Sequence, residues 1–587
     1  MALIMLGNST CFKRVTRGSH RGSVSGPMLW NIVINDLIEL LSTAPNVRTV
    51  VYADDLMIII QGPSNAAILN TLQNTLLTIE KWCSEHRLEI SKEKSALMPM
   101  FTRNRDEYKR HPTTVAWGIN VVSKMRYLGV MIDCKLDWFP HAQHLEIKLL
   151  RIRNSLVRCS KATWGMSYHN LLTIYKHAIL PALMYASAAW SNTTTQRARS
   201  KLLQIQRSYL IFITKAYKTV SSEALSAIAG IMPLDLAMLL HNDIRSISRG
   251  QPTNATLPEI KKIEIPSKIR NIHPKDNHIQ VDLSGAEGKD NVSIYTDGSK
   301  TEHHVGASMV VMEKFTETCI ETQRLNTTCT VFQAELCGIA MAVEWIQRQR
   351  QKSPSYAINV DSKTALLAIA NKSTTHPLAV AIRRKAIELS NSTSLKFHWV
   401  KGHAGLSGNE RADYLAKTAA SYNITIAYNA IPINRGKKLL EEYYTNIWNA
   451  IYINSSNASH TKQFIPTIHY RLSLSLWPNF ILTQFLTNHG KFRAYLYKMK
   501  KKKTSPICNC PEKAIQTAGH LMTECSLFSR TRPAVLHNLP PHLILKLHIH
   551  TASVSSFLSN IFHSMSEQLE GNQAQQKRHV QQSTAIM

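Results

Sequence analysis

Four acidic side chains lie at positions where an α/β fold brings strand ends and helices together. Asp297 and Asp361 each end an apolar β-like run, Glu335 lies within an apolar helical stretch, and Asp413 follows a Gly-rich loop. Strand ends and neighbouring helix starts converge at one edge of an α/β sheet, so these side chains are expected to meet. Clustered carboxylates repel one another, and Mg²⁺, which prefers oxygen ligands, would relieve that repulsion.

Each acid also has an ordinary structural explanation when it is taken alone. Asp297 fits a turn, Glu335 fits a solvated helix position, and Asp361 fits the N-cap of a helix that begins near Ser362. Four acids on two strand ends and two helices of one unit nevertheless favour a shared metal site. Gly298 and Ser299, which follow Asp297, are predicted to form a flexible backbone able to approach a phosphate.

The elements that would position these acids are predicted over residues 291–422. Their order is strand, strand, strand, helix, strand, helix, helix, strand, helix, which predicts a mixed sheet with helices. The helix that carries Glu335 shows an apolar face of Val331, Ala334, Leu336 and Ile339. Asn409 and Asp413 are four residues apart and are expected to share one helical face.

Residues 290–422 resemble type 1 ribonuclease H over the whole length of that domain. The resemblance is carried by YTDGSK around Asp297, the helix of Glu335, YAINVD ending at Asp361, and HWVKGHAGLSGNERAD ending at Asp413. The resemblance implies cleavage of the RNA strand of an RNA–DNA hybrid, which leaves a 3′-hydroxyl and a 5′-phosphate. One Mg²⁺ would activate the attacking water and a second would stabilise the leaving oxygen. The implied metal ligands are Asp297, Glu335, Asp361 and Asp413. His403 would assist proton transfer or product release, while Gly298, Ser299 and Asn409 would contact nucleic acid.

A second acidic pair, Asp54 and Asp55, lies in TVVYADDLMIII between two β-like runs. Adjacent acids in an apolar segment are costly to bury unless a cation neutralises them, so a hairpin that presents Asp54 to a metal is one explanation. A surface hairpin turn is the other, because Asp is common in turns.

The surrounding motifs resemble the reverse transcriptases of non-LTR, LINE-like retrotransposons of arthropod type. They are GSVSGPMLW from Gly22, INDL from Ile34, YADD, LEISKEK up to Lys94, and YLGV from Tyr127, and the resemblance runs from about Gly18 to Pro233. It implies that Asp54 and Asp55 form the polymerase metal hairpin, that Gly22 contacts template and nucleotide, and that Lys94 lies near the nucleotide phosphates.

Two departures from this family predict that the polymerase site is vestigial. Nucleotidyl transfer with two metals needs a further carboxylate on a preceding strand, and residues 1–21 contain no Asp or Glu. The family's Pro-Gln-Gly loop reads His20-Arg21-Gly22. We therefore expect an N-terminally truncated palm that does not polymerise, unless another chain completes it.

A third constellation, Cys508-x-Cys510, His520 and Cys525, lies near the C-terminus. Three thiols and an imidazole within 18 residues would close a tetrahedral zinc site. Incidental thiols in a helical hairpin are the alternative, but similar tails follow the ribonuclease H domain in related retrotransposon polyproteins. The basic run Lys498–Lys503 before it fits a solvated loop, a phosphate contact or a nuclear address.

Composition narrows the classes of partner. Lys plus Arg number 69 against 39 Asp plus Glu, a formal net charge of +30, which indicates a polyanion such as RNA, DNA or their hybrid. No apolar run is long enough for a membrane span or a signal peptide, and the ten Cys show no disulfide framework, so an intracellular, nuclear or cytoplasmic, protein is expected. Oligomeric state is not indicated.

The predicted fold class is a multidomain α/β chain. Its domains are predicted from composition, apolar spacing and the two resemblances. They are a partial palm (1–135), a helical thumb or connection (136–249), a linker (250–290), the ribonuclease H domain (291–422), a basic helical tail with the zinc motif (423–566) and a disordered end (567–587). The leading function is a Mg²⁺-dependent ribonuclease H. The alternatives are an RNA-directed DNA polymerase with a completed palm and a non-catalytic nucleic-acid-binding remnant.

Overall fold

The computed structural model describes residues 2–6, 9–13, 22–100, 114–115, 118–267, 279–314, 316–349, 355–421, 425–499, 505–547 and 549–584. The chain forms two compact units, Met1–Leu136 and Asp137–Met587. Most of the predicted run Lys498–Lys503 and both His20 and Arg21 lie outside the described residues.

The first unit combines two long helices with short antiparallel hairpins. Its elements are β1 (Ala2–Leu6), β2 (Ser9–Lys13), α1 (Gly26–Ser42), β3 (Val47–Tyr52), β4 (Asp55–Ile60), α2 (Asn65–Glu85), β5 (Ala96–Leu97), β6 (Thr114–Val115), β7 (Ile119–Val121), β8 (Lys124–Tyr127) and β9 (Val130–Asp133). Apolar residues of α1 and α2, among them Leu37, Leu41, Ile79 and Trp82, pack on the β3–β4 hairpin and bury one of its faces.

The second unit begins with a bundle of helices, as the apolar spacing of residues 140–245 predicts. They are α3 (Phe139–Cys159), α4 (Tyr168–Ile174), α5 (Leu180–Met184), α6 (Ser187–Trp190), α7 (Gln196–Thr214), α8 (Ser222–Ala229) and α9 (Leu234–Ile247). Leu202, Ile205 and Tyr209 of α7 are buried. Among the described residues no single helix has the length and apolarity to cross a bilayer. Helices α8 and α9 together would be long and apolar enough, but their axes are bent by 53° relative to each other.

A seven-stranded mixed sheet forms the centre of the second unit. Its elements are β10 (Gln280–Gly285), β11 (Val292–Lys300), β12 (Val305–Glu313), β13 (Thr316–Leu325), α10 (Val331–Arg348), β14 (Ser355–Val360), α11 (Lys363–Ala370), α12 (Pro377–Ser390), β15 (Ser394–Val400), α13 (Ser407–Ser421) and β16 (Ile426–Tyr428). The strand order is β10-β15-β14-β11-β12-β13-β16. From β11 to α13 the elements follow the order predicted from sequence.

The core of this domain lies between the sheet and helices α10, α11 and α12. Ile294, Met309, Ile339, Ile358 and Phe397 are each 0% exposed there. Full burial of such side chains stabilises a fold by about 1.5–3 kcal/mol each. This core therefore fixes the positions of the strands and helices that carry the acids.

The C-terminal part is helical apart from the Cys-rich segment. It contains α14 (Ile433–Asn454), α15 (Ser459–Phe464), α16 (Ile468–Leu472), α17 (Phe480–Thr487), α18 (Arg493–Lys498), α19 (Val535–Asn538), α20 (Pro541–Leu547) and α21 (Ala552–Thr584). Arg471 of α16 is buried and donates to the carbonyl oxygen of Ile228 at the end of α8. Tyr444 of α14 donates to the buried carboxylate of Asp243 on α9.

Three predicted boundaries are wrong. Part of the linker 250–290 belongs to the sheet, because β10 pairs in parallel with β15, and the tail contributes β16 beside β13. The predicted disordered end is helical up to Thr584, since its Gln-rich sequence has good helix propensity and no proline. The connection and the tail also share contacts rather than standing apart, as Arg471 and Tyr444 show.

Candidate active site

Asp297, Glu335 and Asp361 converge at one edge of the mixed sheet. Asp297 lies on β11, Glu335 on the first turns of α10, and Asp361 directly after β14. One carboxylate oxygen from each lies within 4.8 Å of the others. This spacing suits oxygen ligands that share a divalent cation.

The register of the sheet explains why Asp297 and Asp361 meet. Parallel pairing of β11 with β14 ends at Thr296 and Val360, and each acid is the next residue along its strand. The strand β11 itself continues to Lys300, because it pairs with β12. The prediction that the β run ends at Asp297 is therefore wrong, and so is the turn explanation for this acid.

Glu335 is held by the capped start of α10 rather than solvated. Thr330 and Gln333 form a reciprocal capping box that fixes the first turn of the helix. The carboxylate of Glu335 is buried, and its Oε2 atom has no hydrogen-bond partner in the structure. A buried carboxylate oxygen without a partner is costly, and a cation at this point would satisfy it.

Gly298 allows α10 to approach β11 closely. A Cβ atom at this position would lie 2.3 Å from the backbone nitrogen of Glu335, so any larger residue would push the helix away. Gly298 and Ser299 belong to a regular strand, not to the flexible backbone predicted from their sequence. The glycine therefore sets the distance between Asp297 and Glu335.

Burial and mutual repulsion raise the pKa of the clustered acids. Burial, followed by the charges of Asp361 and Asp413, raises the pKa of Asp297 to about 7. Burial, followed by the charges of Asp297 and Asp361, raises the pKa of Glu335 to about 10. Burial also raises the pKa of Asp361. These shifts mean that the cluster resists full ionisation unless positive charge is supplied.

Asp361 is available to the cluster because a neighbour caps the next helix. The N-cap of α11 is Ser362, whose side chain accepts from the backbone N–H of Ala365, so the N-cap explanation for Asp361 is wrong. The side chain of Asn409 hydrogen-bonds to Asp361 and thereby connects α13 to the site. Trp399 Nε1 donates to the backbone oxygen of Asp361 at 3.0 Å.

Asp413 stands apart from the other three acids. It lies on α13 one turn after Asn409, and its Oδ2 atom forms an ion pair with Lys417 Nζ at 2.6 Å. Its charge still acts on Asp297 and Asp361, although its oxygen is not among those within 4.8 Å. The sequence analysis did not identify Lys417. The only feature of the sequence that indicates this ion pair is the spacing of four residues between Asp413 and Lys417.

His403 lies on the exposed loop between β15 and α13, where its φ is +53°. Its charge acts on Asp361, which places the imidazole near the carboxylates. An exposed side chain on a loop can reach a substrate that the cluster holds. Its role in proton transfer or product release stays a prediction.

The Asp54–Asp55 pair forms a hairpin turn in the first unit. β3 and β4 pair up to Tyr52 and Asp55, so Ala53 and Asp54 make the turn, and Trp30 Nε1 donates to the Ala53 oxygen at 2.7 Å. Both acids are exposed. Within the described residues no third metal-ligating side chain converges on them.

The other predicted polymerase residues lie on separate segments of this unit. Gly22, with φ +84°, precedes α1, and Lys94 ends a short 3₁₀ helix, Lys92–Lys94. Among the described residues of this unit, no set of carboxylates comparable to that of the mixed sheet accompanies the hairpin.

The Cys/His residues of the tail are brought together as predicted. Cys508 Sγ lies 3.8 Å from Cys525 Sγ, and Cys510 Sγ lies 3.4 Å from His520 Nε2. One ligand atom from each of the four lies within 4.8 Å of the others, and all four residues are buried. Four soft and borderline ligands at this spacing match a structural zinc site.

Two further contacts orient these side chains. The backbone N–H of Cys508 donates to Ala514 O at 2.7 Å, which closes the turn that carries both thiols. His520 Nδ1 lies 3.4 Å from a carboxylate oxygen of Glu524, which leaves Nε2 for a metal. The convergence of the four side chains confirms the predicted cluster, and the identity of a bound metal stays a prediction.

Comparison with known proteins agrees with the two resemblances. Residues 2–132 match the reverse transcriptase (RNA-dependent DNA polymerase) family, and residues 289–421 match the RNase H family. The chain is 30% identical over 254 residues to a putative 115 kDa protein of the type-1 retrotransposable element R1DM of Drosophila melanogaster, covering 43% of this chain and 24% of that protein.

It is also 30% identical over 224 residues to the Pol polyprotein of the R1 element of Nasonia vitripennis, covering 37% of this chain and 66% of that protein. The chain thus spans less than two thirds of either relative. Among solved structures, RNase H1 of Halobacterium salinarum is 21% identical over 22% of this chain and 96% of its own, with a TM-score of 0.19. The chain thus matches the reverse transcriptase family in its N-terminal part and the RNase H family further along, and both relatives come from type-1 retrotransposable elements.

Proposed function

We propose that the chain is a Mg²⁺-dependent ribonuclease H that cleaves the RNA strand of RNA–DNA hybrids within a retrotransposon protein. The observation that carries this proposal is the convergence of Asp297, Glu335 and Asp361, with the Glu335 Oε2 atom buried and unpartnered. An RNase H1 relative was solved in complex with an RNA/DNA hybrid, which is consistent with the same class of substrate here.

The residues fit a pair of Mg²⁺ ions. Asp297, Glu335 and Asp361 supply oxygen ligands at one centre, and Asp413 supplies a fourth carboxylate nearby once Lys417 is displaced. When bound, the two ions would activate a water molecule and stabilise the leaving oxygen. Asn409 would hold Asp361 in orientation, and His403 would carry a proton at the edge of the site.

The test is cleavage by the full chain of a labelled RNA strand in a hybrid, in single-stranded RNA and in duplex RNA, with added Mg²⁺. The hybrid should be cut to products with 5′-phosphates, and the other substrates should be spared. Glu335→Gln, which keeps the shape but removes the charge, should abolish the products. Cleavage of all three substrates, or none by the wild-type chain, would count against the proposal.

We infer in addition that the tail binds one Zn²⁺ through Cys508, Cys510, His520 and Cys525. The observation that supports this ion is the buried, convergent geometry of the four side chains. Such a site is closed and therefore structural, so it would stabilise the tail without taking part in hydrolysis.

We infer no polymerase activity for this chain. The Asp54–Asp55 hairpin is exposed, and among the described residues no third ligand joins it. A polymerase would require a carboxylate from elsewhere, for example from a second chain. The non-catalytic alternative for the whole protein would require that the hybrid be bound but not cut.

A further inference from the structure

Two adjoining cavities lie in the second unit, and no residue of the carboxylate site lines either. One, of about 540 Å³, lies along α3 and α7, and the other, of about 320 Å³, lies against α17 and α21. They share Ala162, Lys215 and Phe480, so they lie side by side, and we call the pair the α3–α7 groove. Its combined size is within the range of ligand-binding clefts.

Four cationic side chains and two histidines line the α3–α7 groove. Arg153, Lys161, Lys215 and Lys218 line the larger cavity, and His550 and His563 line the smaller one. No Asp or Glu is among the described residues that line either cavity. Grouped cations without intervening carboxylates create a positive potential that attracts a polyanion.

Two of these cations are already partly removed from water. The Nε atom of Arg153 is buried with no hydrogen-bond partner in the structure. Burial lowers the pKa of Lys215, which ends α7 in the left-handed conformation with φ +54°. A buried donor that lacks a partner is costly, and a phosphate oxygen would satisfy it.

The floor of the α3–α7 groove is aromatic. Phe212, Tyr217 and Phe480 line it, and the rings of Tyr217 and Phe480 lie nearly parallel, with 28° between their planes and 6.0 Å between their centroids. Trp164 is 55% exposed on the tight turn whose residues Lys161 and Ala162 line the groove. Aromatic rings beside cations are the pattern that binds bases and phosphates of a single strand.

We propose that the α3–α7 groove binds single-stranded nucleic acid, with its phosphates on Arg153, Lys161, Lys215 and Lys218 and a base against Tyr217 and Phe480. A duplex does not fit this pattern, because its bases are already stacked and cannot enter an apolar cavity. An acidic peptide would match the charge, but it does not carry a flat ring beside every anionic group, as a single strand does. The site is separate from the carboxylate cluster and does not rest on ribonuclease activity.

The charge arm of the test compares two double charge reversals of equal size in the full chain. Lys161→Glu with Lys218→Glu changes the groove, and Lys261→Glu with Lys262→Glu changes another exposed surface by the same charge. Binding of fluorescent 20-nucleotide uridine RNA and thymidine DNA is measured by anisotropy over a range of salt concentrations. Hybrid cleavage and thermal unfolding report whether each variant is folded.

The groove variant should bind at least 10-fold more weakly at about 150 mM salt. Its slope of log K against log salt should fall by about 1.4, since each phosphate contact on a single strand contributes about 0.7. The control variant should lose no more than about 3-fold. Equal weakening of both variants, or unchanged binding by the groove variant, would overturn the proposal. The RNA and DNA arms show which strand the groove prefers.

The aromatic arm compares Phe480→Leu with Phe528→Leu. Both replace a partly buried ring by an apolar side chain in the same core, but only Phe480 lines the groove. Loss of a base stack should weaken binding by about 5- to 100-fold for Phe480→Leu. Equal affinities of the two variants for the single strands would contradict the proposed stacking of a base on Phe480.

Discussion

Lys417 forms an ion pair with Asp413 one turn away on α13, with 2.6 Å between Nζ and Oδ2, while the other three acids point at one another. The lysine therefore neutralises the fourth carboxylate and reduces the negative potential at Asp297. Metal binding must compete with this internal cation.

Lys417→Gln should lower the Mg²⁺ concentration that gives half-maximal hybrid cleavage. Lys417 is 56% exposed, so solvent screening limits the effect to about 2- to 5-fold. The measurement is the cleavage rate as a function of Mg²⁺ concentration. The control is Lys385→Gln, because Lys385 forms an ion pair with Glu344 elsewhere in the domain. A higher Mg²⁺ requirement in Lys417→Gln would contradict this role.

Without added Mg²⁺ the RNase H domain should become less stable as pH rises. The folded pKa values of Asp297 and Glu335, about 7 and about 10, lie above their unfolded values, so the folded state holds more protons. Its free energy of unfolding then falls from about pH 4 upwards, through pH 7 for Asp297 and further for Glu335, by at most about 1.4 kcal/mol per pH unit for each group.

Hydrogen exchange of the α10 amides at pH 5 to 8 measures this dependence, because it reports on one domain of a chain with several. Asp297→Asn removes one of the raised groups and should flatten the dependence between pH 5 and 7. Added Mg²⁺ should do the same. A stability that rises with pH in this range would show that the acids are not buried as described.

The purified chain should contain one zinc ion, and Cys510→Ser should lose it. The Cys-rich segment should lose order with the ion, because Cys508, Cys510 and Cys525 are buried in the core of the tail and removing the ion leaves their thiols there without a ligand. Metal analysis and tail proteolysis measure both effects. Cys159→Ser, at an exposed thiol, is the control and should keep its zinc. A zinc content near zero in the wild type would return the thiols to the incidental explanation.

The chain should not extend a primer on an RNA template with dNTPs and Mg²⁺. In the part of the chain that the structure describes, no third ligand approaches Asp54 and Asp55. The control is the chain with Asp54→Asn and Asp55→Asn. Template-dependent extension above that control would contradict the prediction.

The sequence was sufficient to predict the element order from β11 to α13 because each element carries a strong apolar period. Strands β10 and β16 were missed because both join the sheet only at its edges, and β16 is only three residues long. Such strands depend on the partner they pair with, not on their own pattern. The helix over the Gln-rich end was missed because polar composition was taken to indicate disorder.

The acids of the site were predictable from their types and places, but their arrangement was not. Spacing could not show that Asp413 pairs with Lys417 or that Asn409 bonds to Asp361, since both depend on how α13 lies on the sheet. Gly298 was predicted to be flexible, whereas packing shows that it is needed for the close approach of α10. The α3–α7 groove forms between segments more than 250 residues apart, such as α7 and α17, so no local motif could reveal it.

The most direct test of the central claim is the rate of RNA cleavage in a hybrid by the full chain, its His403→Ala variant and its Asp297→Asn variant. Asp297→Asn keeps the shape of the side chain but removes a metal ligand, and each 1.36 kcal/mol of lost transition-state stabilisation is about 10-fold in rate. We expect a loss of at least about 1000-fold for Asp297→Asn, and a smaller loss for His403→Ala, with hybrid binding retained in both. Cleavage by Asp297→Asn at the wild-type rate would contradict the assigned site, and a wild-type chain that binds hybrid tightly without cutting it would contradict the assigned function.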